Sequence, residues 1–171
     1  MKQLLKIALA TSLLLGTSFA ANAQQKFGFI NSQEVVLAMP ETAEVNTQLE
    51  QLQKDLGEQL ELIEVEYNNK AQEYQKNMNS YSDAIRQSKE KELSGLSQRY
   101  EELRQMGVQD LQNKQNELMK PVIEKAKNAI NKVGADGKFT MIFDQAIGAV
   151  AYFDSATIDV TPLVKAELGI K

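Results

Sequence analysis

The residues best equipped for chemistry in this chain are carboxylates. Glu58, Glu61, Glu64 and Glu66 lie close together, and Asp144, Asp154 and Asp159 gather near the C-terminal end. Grouped carboxylates can share acid and base duty or hold a hard cation. Their usual companions are missing, because the chain has no histidine and no cysteine. The commonest general base, the commonest metal ligand and the most reactive nucleophile are therefore absent. The glutamate spacing suits a solvated helix face. The aspartates sit among turn residues, where capping accounts for them. Gly134-Ala135-Asp136-Gly137-Lys138 lacks the Gly-x-x-x-x-Gly-Lys-[Ser/Thr] spacing of a phosphate loop and follows a helix, so it reads as a turn. No catalytic, cofactor-binding or metal-binding residues are assigned, and the chain reads as a non-enzyme without a cofactor.

The elements around these residues fall into regions of different texture. Met1 to Lys6 is a short basic start, Ile7 to Leu15 is apolar apart from Thr11 and Ser12, and small residues lead to Ala21-Asn22-Ala23. This is the layout of a secretory signal peptide over residues 1–23, cut after Ala23. Ser18-Phe19-Ala20 is a second candidate cleavage site, and a retained amphipathic anchor is the alternative reading. With no cysteine there is no lipoprotein signal. The expected location is the periplasm, without stable membrane insertion, since no later segment is long and apolar enough to span a bilayer. The full chain has a formal charge of −4, and loss of Lys2 and Lys6 makes it −6. Such a balance argues against nucleic acid as a partner.

The stretch from Pro40 to Val133 is rich in Glu, Gln, Lys, Leu and Asn. Its apolar residues step by three or four: Val45, Leu49, Leu52, Leu56, Leu60, Ile63, Tyr67, Ala71, Tyr74, Met78 and Tyr81. The steps group into elevens, as in Val45, Leu56, Tyr67 and Met78, and again in Tyr100, Leu111, Val122 and Val133. An eleven-residue repeat favours a nearly straight or slightly right-handed coil. The narrow seam predicts a helix that packs on one partner and otherwise faces water. The Asn77–Asp83 stretch is the expected turn, with Ser82 or Asp83 capping the return helix. The predicted arm spans 41–133 with its tip near 77–84, and its first helix is roughly 55–60 Å long. One continuous helix in a parallel dimer is the competing arrangement. Pro121 marks an expected bend in the second helix, and Gly134 is its expected C-terminal cap.

Residues 24–40 and 134–171 form the expected body. Phe27–Ile30, Phe139–Phe143 and Gly148–Phe153 are predicted strands. Thr161 is placed as the cap of a final helix with Pro162 at its first position and Leu163, Val164 and Leu168 on its apolar side. The fold class is α+β: a small β-body with a long antiparallel helical-hairpin coiled-coil arm. So little apolar material makes a poor core for one chain. Strands from several chains merging into one sheet, shared between subunits, would enlarge the core and remove its edges.

With that plan in view, the chain resembles the Skp/OmpH family of periplasmic chaperones over nearly all of its mature length. The resemblance rests on Phe27-Gly28-Phe29-Ile30-Asn31-Ser32-Gln33-Glu34-Val35 at the start and on Ser82 to Leu93 at the turn. It continues through Glu117 to Lys125, Tyr152-Phe153-Asp154 and Ile158-Asp159-Val160-Thr161. It implies a homotrimer whose arms enclose a cavity holding unfolded outer-membrane proteins without ATP. This chain differs from the best-known members in being acidic. Phe27, Phe29, Ile30, Ile142, Phe143, Val150 and Tyr152 are the expected oligomerisation residues of the body. Met78, Tyr81, Ile85, Arg86 and Lys89 are the client-contact candidates at the arm tip. A structural spacer or tether of the cell envelope is the alternative function.

Overall fold

The computed structural model describes residues 25–170, so the expected cleavage after Ala23 lies outside the described residues. Strand β1 (Phe27–Ile30) leads into the short helix α1 (Ser32–Ala38). Asn31 caps α1, its side-chain oxygen accepting from the Glu34 N–H at 3.1 Å. Met39 is extended, as the residue before a proline prefers to be. Pro40 then opens helix α2 (Pro40–Asn77) at its first turn, where a missing N–H costs nothing. The Thr42 hydroxyl donates to the Val36 carbonyl at 2.5 Å and holds the corner between α1 and α2.

Helix α2 ends in a single 3-10 turn, Met78–Ser80. Tyr81 is extended, and Ser82 caps helix α3 (Asp83–Asp136), accepting from the Ile85 N–H. The hairpin is antiparallel, and the competing continuous helix is not formed. Val45 and Ile63 from α2 and Leu96, Gly107, Val122 and Ala126 from α3 are buried in the arm or at its root. The remaining leucines of the seam, Leu49, Leu52, Leu56 and Leu60, are half-buried. This gradation is what a two-helix contact provides: only positions facing the partner squarely are sealed from water. Gly107 has a particular role. A Cβ there would lie 2.3 Å from Leu56 Cδ2, so the missing side chain is the hole that receives Leu56. The helical run of α3 passes unbroken through Pro121, which is exposed.

Helix α3 runs three residues past its expected end. Gly134 is inside it, and Gly137 is the cap, its N–H donating to the Val133 carbonyl at 2.9 Å. The left-handed turn that follows falls on Lys138, with φ 53°. The Gly134 site serves packing instead: a Cβ there would be 3.3 Å from Ile142 Cδ1.

Strands β2 (Met141–Asp144) and β3 (Ile158–Asp159) flank β1 in the order β2-β1-β3, both parallel to it. The predicted strand Gly148–Phe153 is not formed. Residues 145–148 turn, with Gly148 at φ +64°, and 149–154 run on without joining a ladder. The free edge of β1 goes to Ile158–Asp159, pinned by the Val160 N–H on the Phe29 carbonyl. The β-prone stretch thus finds no partner edge within its own chain.

The sequence closes with helix α4 (Thr161–Glu167). Thr161 is its first residue and not its cap. Asp159 accepts from the Thr161 N–H at 2.9 Å, and the Thr161 hydroxyl accepts from the Asn31 N–H at 3.1 Å. Val164 is buried and Leu168 packs beside it, whereas Leu163 is exposed. Ile30, Val35, Ala129, Val160 and Val164 form the core under one sheet face, joined by Ile142 and Phe139. Met39, Val45, Val122 and Ala126 continue it into the arm root, and Leu168 touches both groups. The fold is α+β, with a small three-stranded sheet and a long helical-hairpin arm.

Candidate functional site

Strand periodicity decides what the body offers to a partner. Residues two apart in a strand share a face. In the observed register Phe27 aligns with Met141 and Phe29 with Phe143. These four therefore project from one side, and Gly28, Ile30 and Ile142 from the other. The second side is the core face described above. Among the described residues no helix packs on the first. Met141 is 51% exposed, and Phe27 and Phe143 are 36% and 37% exposed. Phe27 and Phe143 lie with ring centroids 6.3 Å apart. The β2–β3 connection crosses this side and stacks Phe153 on Phe29 at 4.5 Å.

The expected body residues thus separate. Phe27, Phe29 and Phe143 share the open face. Ile30, 1% exposed, and Ile142 belong to the subunit's own core. Val150 and Tyr152 lie in the connection, Val150 half-buried and Tyr152 81% exposed. Met141 and Phe153 belong to the face and were missed. The alternation Phe27-x-Phe29 and Met141-x-Phe143 carries the signal for Met141, while the stack of Phe153 on Phe29 depends on a loop path that no local pattern encodes.

At the far end of the arm, polar contacts replace apolar ones. Lys70 Nζ reaches Glu92 Oε1 at 2.6 Å, and Lys89 Nζ reaches Glu73 Oε1 at 3.1 Å. The Tyr74 hydroxyl donates to Glu90 Oε1 at 2.5 Å, and that of Tyr81 to Glu73 at 3.3 Å. The Tyr74 and Tyr81 rings are 6.4 Å apart. Hydrogen bonding from Lys89 holds the Glu73 carboxyl below its usual range, and that from Lys70 does the same for Glu92. The two lysines are raised by the same bonds, and Glu90 raises Tyr74.

Of the five client-contact candidates, Met78 and Ile85 are exposed, and Tyr81 and Arg86 are half-exposed. Lys89 is committed to Glu73, and Arg86 pairs with Asp83. These residues share the tip, but the two cations already have anionic partners within the chain.

The carboxylate groups raised by the sequence do not converge. Lys54 pairs with Glu58 and Lys70 with Glu66, each at 3.8 Å along α2. Asp144 accepts from the Ser32 hydroxyl at 2.5 Å, Asp154 from the Ala156 N–H and Asp159 from the Thr161 N–H. Among the described residues no cluster of three or more potential acidic, histidine or cysteine metal ligands occurs. Nor is any helix among them long and apolar enough to cross a membrane.

What these features define is a helical-hairpin arm rooted in a small three-stranded sheet, with apolar side chains on the side of the sheet away from the core. The sequence profile of the family described as outer membrane protein (OmpH-like) matches residues 26–168, and the chain belongs to that Skp/OmpH family. It is 26% identical over 165 residues to the chaperone protein Skp of Photorhabdus laumondii subsp. laumondii, covering 96% of this chain and 98% of that one. The chaperone protein Skp of Photorhabdus luminescens is 26% identical over 149 residues, covering 86% and 89%. The crystal structure of an OmpH-like protein from Caulobacter crescentus shares the fold with a TM-score of 0.73, covering 85% of each chain at 16% identity.

Proposed function

We propose that this chain is an exported holdase chaperone, working in the periplasm without ATP and holding unfolded outer-membrane proteins between its arms. The observation that carries the reading is the end-to-end match to proteins named chaperone protein Skp, covering 96% of this chain. Local helix similarity would match the arm alone; here the body aligns as well. The open apolar face supports the quaternary part of the proposal. Phe27, Met141 and Phe143 leave part of one side of the sheet in water, beside Phe29 under Phe153, and covering such a face is a normal use of subunit contact. A homotrimer sharing its sheets would provide that cover and place three arms around a cavity. Residues 1–23 would direct export and be removed after Ala23, and the arm tip with Met78, Tyr81 and Ile85 would touch clients. The mature chain should have the native mass of three subunits. It should keep an unfolded β-barrel protein soluble at about one assembly per client with no nucleotide present, through many weak contacts. Phe27→Lys with Phe143→Lys should lower the native mass and abolish holding together. A trimer that leaves the unfolded barrel to aggregate at several-fold excess would turn the reading toward an envelope spacer.

A further inference from the structure

From Glu64 to Gly95, both helix ends and the turn included, no residue is buried. Ile63 and Leu96 are the last buried pair before the tip. Beyond them the apolar seam thins to the half-buried Ala71, Tyr74, Tyr81 and Leu93, and the crossing between the helices is tied by Lys70–Glu92, Glu73–Lys89 and Tyr74–Glu90. We propose that this distal third of the arm is a polar zipper that opens and closes on its own while the arm root stays shut, with salt and pH setting its state. The proposal concerns the protein alone and does not depend on the chaperone reading.

The physical grounds lie in what holds each part. Buried apolar contact is little affected by screening. Exposed ion pairs are individually weak and lose most of their attraction when the Debye length falls to about 3 Å near 1 M salt. With the zipper undone, the ends of the two helices would keep only short stretches of unsupported helix, which are marginal in water. Opening would release the Tyr74–Tyr81 ring pair and the cations of Lys70 and Lys89.

Protonation acts in both directions. Glu73 and Glu92 have lowered pKa values, so their contribution is full above the ordinary carboxylate value of 4.5 and fades as pH falls through their lowered values. Lys70 and Lys89 lie above the ordinary 10.5 and Tyr74 above 10.0, so their contribution is present below those values and fades as pH rises through the raised ones. The other charges facing the ladder do not reverse this. Glu66 adds to the field at Lys70, Tyr81 acts in the same direction as the ion pair on Glu73 and Lys89, and Arg86, paired with Asp83, opposes the rise of Tyr74 less than Glu90 promotes it. The zipper is closed across the neutral range and weakens at both extremes.

The chain has no cysteine, so paired spin labels can be placed cleanly. Asn69→Cys with Lys91→Cys reports the tip, and Gln53→Cys with Gln112→Cys the middle of the arm; each is spin-diluted with unlabelled chain. At pH 7 and low salt both pairs should give one narrow distance. In about 1 M NaCl, or once pH falls through the lowered values of Glu73 and Glu92, the tip pair should broaden and lengthen while the mid-arm pair holds. Amides of 67–95 should then exchange about ten-fold faster. Lys70→Glu with Lys89→Glu puts two more carboxylates beside Glu73, Glu90 and Glu92 and should open the tip at low salt. Adding Glu73→Lys and Glu92→Lys restores opposite charges and should close it. A tip distance indifferent to salt and to the double substitution would overturn the proposal. So would equal widening of both pairs, which would mean the arm opens as one body.

Discussion

The two ends of the arm are the same hairpin held by different forces. At the root, Val45, Val122 and Ala126 are buried against Met39 and run into the core under the sheet. At the tip, no side chain is sealed: half-buried Ala71 and Leu93 are joined by lysine, glutamate and tyrosine side chains that still touch water. The seam pattern in the sequence continues through both regions, since Ala71 and Tyr74 keep the step set by Leu49 and Leu52. What changes is the depth of cover. The root has the sheet, α1 and α4 stacked around it, while the tip has only its own partner helix. Periodicity therefore tells which side of a helix faces its neighbour, but not how dry that side becomes.

The sharpest way to break the comparison is to place the same charge at both ends. Val160 is 0% exposed in the body core, and Ile85 at the tip is 47% exposed. Val160→Asp buries an unpaired carboxylate and should cost more than about 3 kcal/mol, removing the cooperative thermal transition followed by circular dichroism. Ile85→Asp should stay within about 0.5 kcal/mol. If Ile85→Asp proved as damaging, the tip would be part of the cooperative core and the contrast would fail.

A smaller effect should appear midway, where Leu56 occupies the hole left by Gly107. Alanine at 107 gains up to about 1 kcal/mol of helix propensity over glycine. In this chain the gain should be outweighed by the clash with Leu56, for a net loss of about 1 kcal/mol. In a Leu56→Ala background the clash disappears, and Gly107→Ala should stabilise by about 0.5–1 kcal/mol. A double-mutant cycle followed by urea unfolding measures that change of sign. An additive result would mean that the helices already have room at this level.

The hairpin could be read from the sequence because its signals are local. The eleven-residue step fixes the facing side, and Ser82 after an Asn-Ser run marks the return helix. The resemblance in motif order pointed to the family that the profile match shows. The body was harder because its determinants are distant in sequence. Gly148–Phe153 has a strand-like composition, yet the edge of β1 goes to Ile158–Asp159. Thr161 looked like a cap and instead accepts from Asn31, 130 residues away. Gly134 and Gly107 are fitted to Ile142 and Leu56 across a packing contact that no local rule reports. The oligomerisation set mixed both sides of one sheet, because naming strand residues without a register does not separate Phe29 from Ile30.

The smallest effect sharpens the contrast by where it is read. Ser82 caps α3 through a long hydrogen bond, 3.4 Å from Ile85 N to Ser82 Oγ. Replacing a capping serine by alanine costs about 0.5–1 kcal/mol. At a helix joined rigidly to the core, that loss would lower the global melting temperature. At a tip able to open separately, the cost falls on the local equilibrium. Ser82→Ala should therefore speed amide exchange across 83–90 by several-fold, leaving the protection of 118–130 and the melting midpoint unchanged. If the midpoint fell while local exchange rose no faster than at the root, the arm would be one cooperative unit, and polar contact at the tip would be as binding as the apolar seal below it.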